Sequence, residues 1–275
     1  MRRILLALLL FAIVSVSLGF LLLPIVALFT RQPPSELVHQ LSNPIVTDAL
    51  RLSVETSAIA QALIILLGTP TAYLIASRRF PGRSLVITLV ELPLVLPPAV
   101  AGIGLLVAFG RVGVLGSTFN ALGIDVAFNR AAVVIAVAFV ASPLFVRQAI
   151  ASFEAIDENL VAASRTLGAG PVRTFFRVVL PIARGGLAAG AALSLARGLG
   201  EFGATIMFAG SLQGVTQTLP LAIYAQFDRN FDVAVTISAL FVVLTAAILL
   251  SLKLSSLWPA SRQTSRSLFA RLSLS

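Results

Sequence analysis

The chain has 275 residues, 58% of them hydrophobic and 11% charged, with a mean hydropathy of +1.00 and a formal net charge of +9. No water-soluble domain of this length needs that much apolar surface, so the bilayer is its solvent. The basic excess does not argue for nucleic acid, because the basic residues flank hydrophobic runs instead of gathering on a soluble face, and the absence of cysteine excludes disulfides, thiolate metal sites and cysteine nucleophiles.

Arg2 and Arg3 precede an apolar run from Ile4 to about Phe29. The run exceeds the roughly 7 to 15 apolar residues of a signal peptide, so it reads as an uncleaved first transmembrane helix. Residues 31–48 are polar, carry Pro33, Pro34 and Pro44, and read as a loop with room for a short helix. A second span runs from about Ala49 to Ser77 with Pro70 inside it, which is tolerated where neighbouring helices satisfy the freed backbone groups. Arg78, Arg79 and Arg83 form a basic turn around Pro81 and Gly82.

The third span, Leu85 to about Phe109, contains ELPLVLPPAVAGIGLL. Pro93, Pro97 and Pro98 remove backbone donors, so a regular helix does not pass through, and broken membrane helices commonly line a cavity or pathway. Residues 110–130 read as a loop and Ala131 to about Ile150 as the fourth span. A fifth span is expected from about Gly185 to Phe208, a loop over residues 209–231, a sixth span from about Asp232 to Leu254, and a basic tail with Arg262, Arg266 and Arg271.

The polar segment Phe153 to Pro181 interrupts this pattern. Phe153, Ile156, Leu160, Ala163 and Leu167 share one face at helical spacing, predicting a short amphipathic helix. Gly168, Ala169, Gly170 and Pro171 break it, and a second helix with a stripe of Val172, Phe175, Phe176 and Val179 is expected to close at Pro181. Such a segment also suits a helix lying in the membrane interface. Six spans put both termini on one side. On that side the loops and tails hold about fourteen Lys and Arg, against about five opposite, so both termini and the polar segment are assigned to the cytoplasm.

His39 is the only histidine, and there is no GxxxxGK[ST] sequence, so no metal centre, catalytic residue or nucleotide site is expected in this chain. Arg197 and Glu201 lie four apart within LARGLGEFGAT in the fifth span. Charges at membrane depth face a bundle interior, a cavity or each other, which leaves two readings: an arginine attracting an anion along a pathway, or a self-satisfied ion pair. Arginine before glutamate is the weaker helical order and leaves room for partners on other helices. Glu91 opens the proline-broken span, and Gly198, Gly200 and Gly203 permit close helix approach. An intramembrane enzyme centred on Glu91, Arg197 and Glu201 lacks a nucleophile; a non-transporting scaffold would use the same polar segment to bind a partner.

The stretch VAASRTLGAG followed by VVLP resembles the EAA loop of membrane subunits of bacterial ABC importers, with Ala162, Ala163, Gly168, Val178, Leu180 and Pro181 at matching spacing. The family's glutamate falls at Val161 or Ala162, and the nearest acid is Glu158. ELPLVLPPAVAGIGLL, GLGEFGATIMFAG and TQTLPLAIY are similar to the molybdate-type permeases, relatives of the sulfate and thiosulfate permeases. The resemblance implies an all-α membrane protein of the type I importer fold, with a first helix and outer loop (1–48), a permease core (49–255) containing a coupling loop at about 153–181, and a cytoplasmic tail (256–275). It implies Glu158, Ala162, Ala163, Gly168, Ala169, Leu180 and Pro181 as the coupling loop, and a pathway near Pro97, Pro98, Arg197, Glu201 and Gly203. It further implies a multi-pass subunit of the cytoplasmic membrane, in contact with its lipid, that moves molybdate, or alternatively sulfate, thiosulfate or tungstate, by alternating access. The implied partners are a second copy of the chain, two ATP-binding cassette subunits carrying ATP and Mg, and an extracytoplasmic oxyanion-binding protein.

Overall fold

The structure is a computed structural model that describes residues 2–257, and every regular element among them is helical. In chain order these are α1 (Arg2–Arg31), α2 (Pro34–Gln40), α3 (Pro44–Ser77), α4 (Arg83–Val95), α5 (Pro98–Phe109), α6 (Gly116–Ala121), α7 (Arg130–Glu154), α8 (Glu158–Thr166), α9 (Pro171–Thr174), a π-helical turn (Phe175–Val179), α10 (Leu180–Leu199), α11 (Gly203–Ala209), α12 (Leu219–Phe227) and α13 (Phe231–Leu257). The tail from 258 on, with its arginines, lies outside the described residues.

α7 is the hub. It runs parallel to α3: Arg130 pairs with Glu55 at one end, Phe145 and Val146 cover Gly68 midway, and Glu154 at the other end pairs with Arg83, whose Nε donates to the Ile75 carbonyl at 2.8 Å. α10 runs antiparallel to α7, with Gly186 against Ser152, Gly190 against Gln148 and Gly198 against Val137 and Ala141. In lipid, apolar transfer gives helices no reason to associate, so these small-residue contacts and interhelical polar bonds hold the bundle. α1 stands at the periphery with its apolar side chains exposed, fastened where Arg31 pairs with Asp232 and lies 5.0 Å from the Phe231 ring centre.

The third span is broken at Pro97 and Pro98, while Pro93 lies inside α4. α4 and α5 meet at 111°, and Leu96 and Pro97 are extended, the conformation imposed on residues that precede a proline. α4 starts beside Glu154 and α7 starts beside Glu55, so residues 83–130 carry the chain from one end of α3 to the other. The bent pair therefore makes one crossing and, with the five long apolar helices, gives six.

Four expectations need correction. The helix expected from Phe153 to Leu167 is two: Phe153 is buried at the end of α7, and Asp157 starts α8 afresh by accepting a hydrogen bond from Asn159 N at 2.9 Å. Pro181 does not close the segment. The π turn before it, with Leu180 N–H bonded to Phe175 O, admits the proline, and the helix continues unbroken from Pro171 to Leu199. The fifth span then breaks at Gly200–Phe202 before α11. Finally, residues 209–231 contain α12, with Leu219, Leu221 and Ala222 fully buried and its Leu219 N–H capped by Ser53 Oγ of α3 at 2.7 Å.

Candidate functional site

The helix breaks meet. The register of α4 and α10 on α7 puts Pro98, Gly203 and Arg197 level with residues 140–141, near the middle of the 25-residue α7. A Cβ on Gly203 would stand 2.6 Å from Pro98 Cβ, and one on Gly102 would stand 2.6 Å from the Ala204 carbonyl oxygen, so α5 and α11 touch through positions that admit only glycine. Pro97 and Pro98, exposed at the bend, form the start of α5.

Arg197 and Glu201 pair at 2.8 Å, but across the helix end and not along a helix, since α10 stops at Leu199. The Glu201 side chain is 1% exposed, and its Oε1 also accepts from Ala204 N at 2.8 Å, so it serves as the N-terminal acceptor of α11 while neutralising the arginine. Arg197 is one-third exposed. One turn earlier on α10, Ser194 Oγ donates to Gln61 Oε1 of α3 at 2.9 Å, and the buried Gln61 Nε2 makes no hydrogen bond. The Arg197 guanidinium and the uncommitted Gln61 Nε2–H, which Ser194 holds one turn of α10 away, are thus donors at similar depth, suited to an anion. Sequence reasoning named the arginine and missed Gln61, which the α3–α10 contact brings to Ser194, one turn from it.

The polar segment forms the second feature. α8 has no buried residue; Glu158 sits exposed in its first turn, and Ala162 and Ala163 are exposed beyond it. Val161, where the resemblance expects an acid, is half-buried against the apolar cluster that holds Phe153 and Val179. Gly168 has φ +81°, while Gly168 N and Ala169 N bond back to the Arg165 and Ser164 carbonyls at 2.9 and 3.1 Å, a left-handed helix stop that favours glycine. Ser164 and the buried Thr174 then join α8 to α9 through their hydroxyls at 3.1 Å. Leu180 and Pro181 lie just past the π turn. That turn splits the expected stripe: Val179 is buried and Phe175 packs on Tyr73 and Phe153, while Val172 and Phe176 are 70% and 60% exposed.

At the opposite end of the bundle, Arg111 clasps Asp125 with two bonds, 2.9 Å from Nε and 2.7 Å from Nη2. Hydrogen bonding from Arg111 holds the Asp125 carboxyl below its ordinary range, and the same bond raises the guanidinium. Sequence reasoning also passed over Arg147, seven residues inside the end of α7 and 3.5 Å from Glu91; an arginine within an apolar run was the signal available.

Among the described residues, no group of three or more His, Cys, Asp or Glu could hold a metal ion. Residues 64–258 match the family model described as binding-protein-dependent transport system inner membrane component. The chain is 45% identical over 233 residues to the molybdenum transport system permease protein ModB of Mycobacterium bovis, covering 84% of this chain and 88% of that one. It is 42% identical over 177 residues to the protein of the same name in Escherichia coli, 64% and 77% of the two chains. Its fold is that of a chain in a bacterial ABC transporter involved in the import of the acidic polysaccharide alginate, with a TM-score of 0.73 at 17% identity over 93% of this chain and 96% of the other.

Proposed function

Because the chain belongs to the family of binding-protein-dependent transport system inner membrane components, we propose that its mid-depth site conducts a tetrahedral oxyanion, molybdate in the first instance. The chain is a permease subunit of an ABC importer, a multi-pass membrane protein and not an enzyme. The single observation that supports an oxyanion is the placement of Arg197 beside two broken helices, one turn of α10 from Ser194 and its partner Gln61, whose Nε2 is unpartnered. A dianion arriving there gains charge-assisted bonds from the guanidinium and competes with Glu201 for it. Two copies of the chain would enclose the pathway in the cytoplasmic membrane, with both termini and α8 in the cytoplasm.

In this reading two ATPase subunits bind ATP and Mg, receive the exposed face of α8 and α9, and drive the site between outward and inward access, while an external binding protein delivers the anion. ATP shifts that equilibrium only to the extent that it binds one state more tightly than the other. The test is uptake by the chain reconstituted in vesicles with its ATPase subunit and binding protein. Molybdate uptake that tungstate competes for and sulfate competes for poorly is the expected result, and Arg197→Gln should lower it at least about ten-fold, the worth of a charged hydrogen bond. Sulfate transported in preference would move the chain to the sulfate branch.

A further inference from the structure

Glu91 of α4 and Arg147 of α7 form an ion pair apart from both the mid-depth site and α8. Arg147 lies about 10 Å inside the Glu154 end of α7, at 1.5 Å per residue. Its Nε stands 3.5 Å from Glu91 Oε1, an ion pair that is not also a hydrogen bond, and the two side chains are 69% and 35% exposed. The guanidinium therefore keeps most of its donors uncommitted. α4 and α7 are already joined by Arg83 and Glu154 at their shared end, so register alone does not call for a second pair. Two charges at this depth do not face hydrocarbon; they face a protein-lined or watered surface.

Along the axis of α7 this pair lies close to the level of the mid-depth site. α10 lies on α7 with Gly190 at Gln148 and Gly198 at Val137 and Ala141, so Arg197 is level with about Ala141, some 9 Å from Arg147 along the helix. Two arginines thus follow one another down α7 toward the Glu154 end. Their counter-charges differ: Glu201 is buried, bonded to Ala204 N and 2.8 Å from its arginine, whereas Glu91 is loosely held and partly exposed.

We propose that Arg147 is a second oxyanion contact, which takes the anion as it leaves the level of Arg197, and that Glu91 is the counter-charge that displaces it toward the cytoplasm. This rests on the oxyanion reading above. A strong arginine site with no competing charge would hold a dianion and slow its release; a carboxylate beside it repels the anion and reclaims the guanidinium as it departs. Arginine suits the task because its planar fork presents parallel donors to an oxyanion, which lysine does not.

The experiment uses the complex of this chain with its ATPase subunit, with radiolabelled molybdate. Equilibrium binding without nucleotide and uptake in vesicles with the binding protein are measured for the unaltered chain and for R147Q, R147K and E91Q. R147Q should weaken binding about ten-fold and E91Q should tighten it about three-fold, opposite shifts that a structural brace would not give, because removing either half of a brace acts in one direction. Uptake should fall in both. Co-purification with the ATPase subunit checks assembly, and R147K, which keeps the charge, should still bind about three-fold more weakly. Binding that shifts the same way in R147Q and E91Q, or in neither, overturns the proposal. So does an R147K chain equal to the unaltered one whose uptake follows the phosphatidylglycerol content of the vesicle, which would mark a lipid-phosphate contact. An unaltered complex that moves molybdate while R147Q does so equally well removes this inference alone. One that moves neither molybdate, tungstate nor sulfate removes the reading beneath it as well.

Discussion

Glu201 carries two obligations, a negative charge for Arg197 and an acceptor for the first turn of α11, and its side chain is 1% exposed while that of Arg197 is 33% exposed. Removing the arginine strands a buried carboxylate, whereas removing the carboxylate leaves a guanidinium that can reach water. Arg197→Gln should therefore destabilise the complex more than Glu201→Gln, by about 1–2 kcal/mol, read as the difference in thermal unfolding of the two purified variants. Gly203→Val places side-chain atoms where Pro98 already stands; the cost is about 1–3 kcal/mol, with uptake falling as α5 and α11 separate. Arg197 and Glu201 were legible in the sequence because two charges in an apolar run are conspicuous. Their relation was not, since helical spacing treats them as neighbours on one face, while the break at Gly200 changes the geometry of the pair. Gln61 gives no such signal, because a glutamine acquires meaning only from Ser194, 133 residues away.

The breaks in the helices were the most legible elements, and the turns that rescue helices the least. Pro97 and Pro98 announced the bend between α4 and α5, and Gly168 announced the end of α8, for steric reasons that act locally. Pro181 misled, because a proline signals a stop unless the preceding turn widens, and nothing in FFRVV announces a π turn. Gly168→Leu forces a branched side chain into φ +81° at a local cost of about 1–2 kcal/mol. It should leave membrane assembly intact and uncouple ATP hydrolysis from uptake; normal uptake would exclude α8 from coupling. The Arg111–Asp125 clasp belongs to this scale too. With the folded pKa of Asp125 depressed, its contribution is present above the ordinary carboxylate range and is lost as pH falls through the lowered value. Cysteine placed at Ile124 should thus react with a maleimide equally fast, after correction for thiol ionisation, from pH 7 down to about pH 5.

At the scale of the whole molecule, six crossings follow from the register of α3, α4 and α7, and the hydropathy of the chain had already predicted that number. The chain lacks cysteine, so single cysteines report topology without background. Ser117→Cys, exposed in α6, should react with a membrane-impermeant maleimide on intact cells, and Ser84→Cys, at the Glu154 end, should not; the reverse would invert the orientation. What the sequence could not convey is which face of each crossing meets which neighbour, because an apolar helix in lipid carries little amphipathic record of its packing. The π turn between Phe175 and Val179 has a further consequence of this kind. By inserting an extra residue into the helical repeat, it shifts the helix on its two sides by about 100° relative to one another. Val172 and Phe176 consequently point outward while Val179 and Ala183 stay packed. Substitutions here alter one contact each, but a one-residue deletion would restore regular phase and turn the outward pair into the bundle. This short stretch should therefore accept changes of residue far more readily than changes of length.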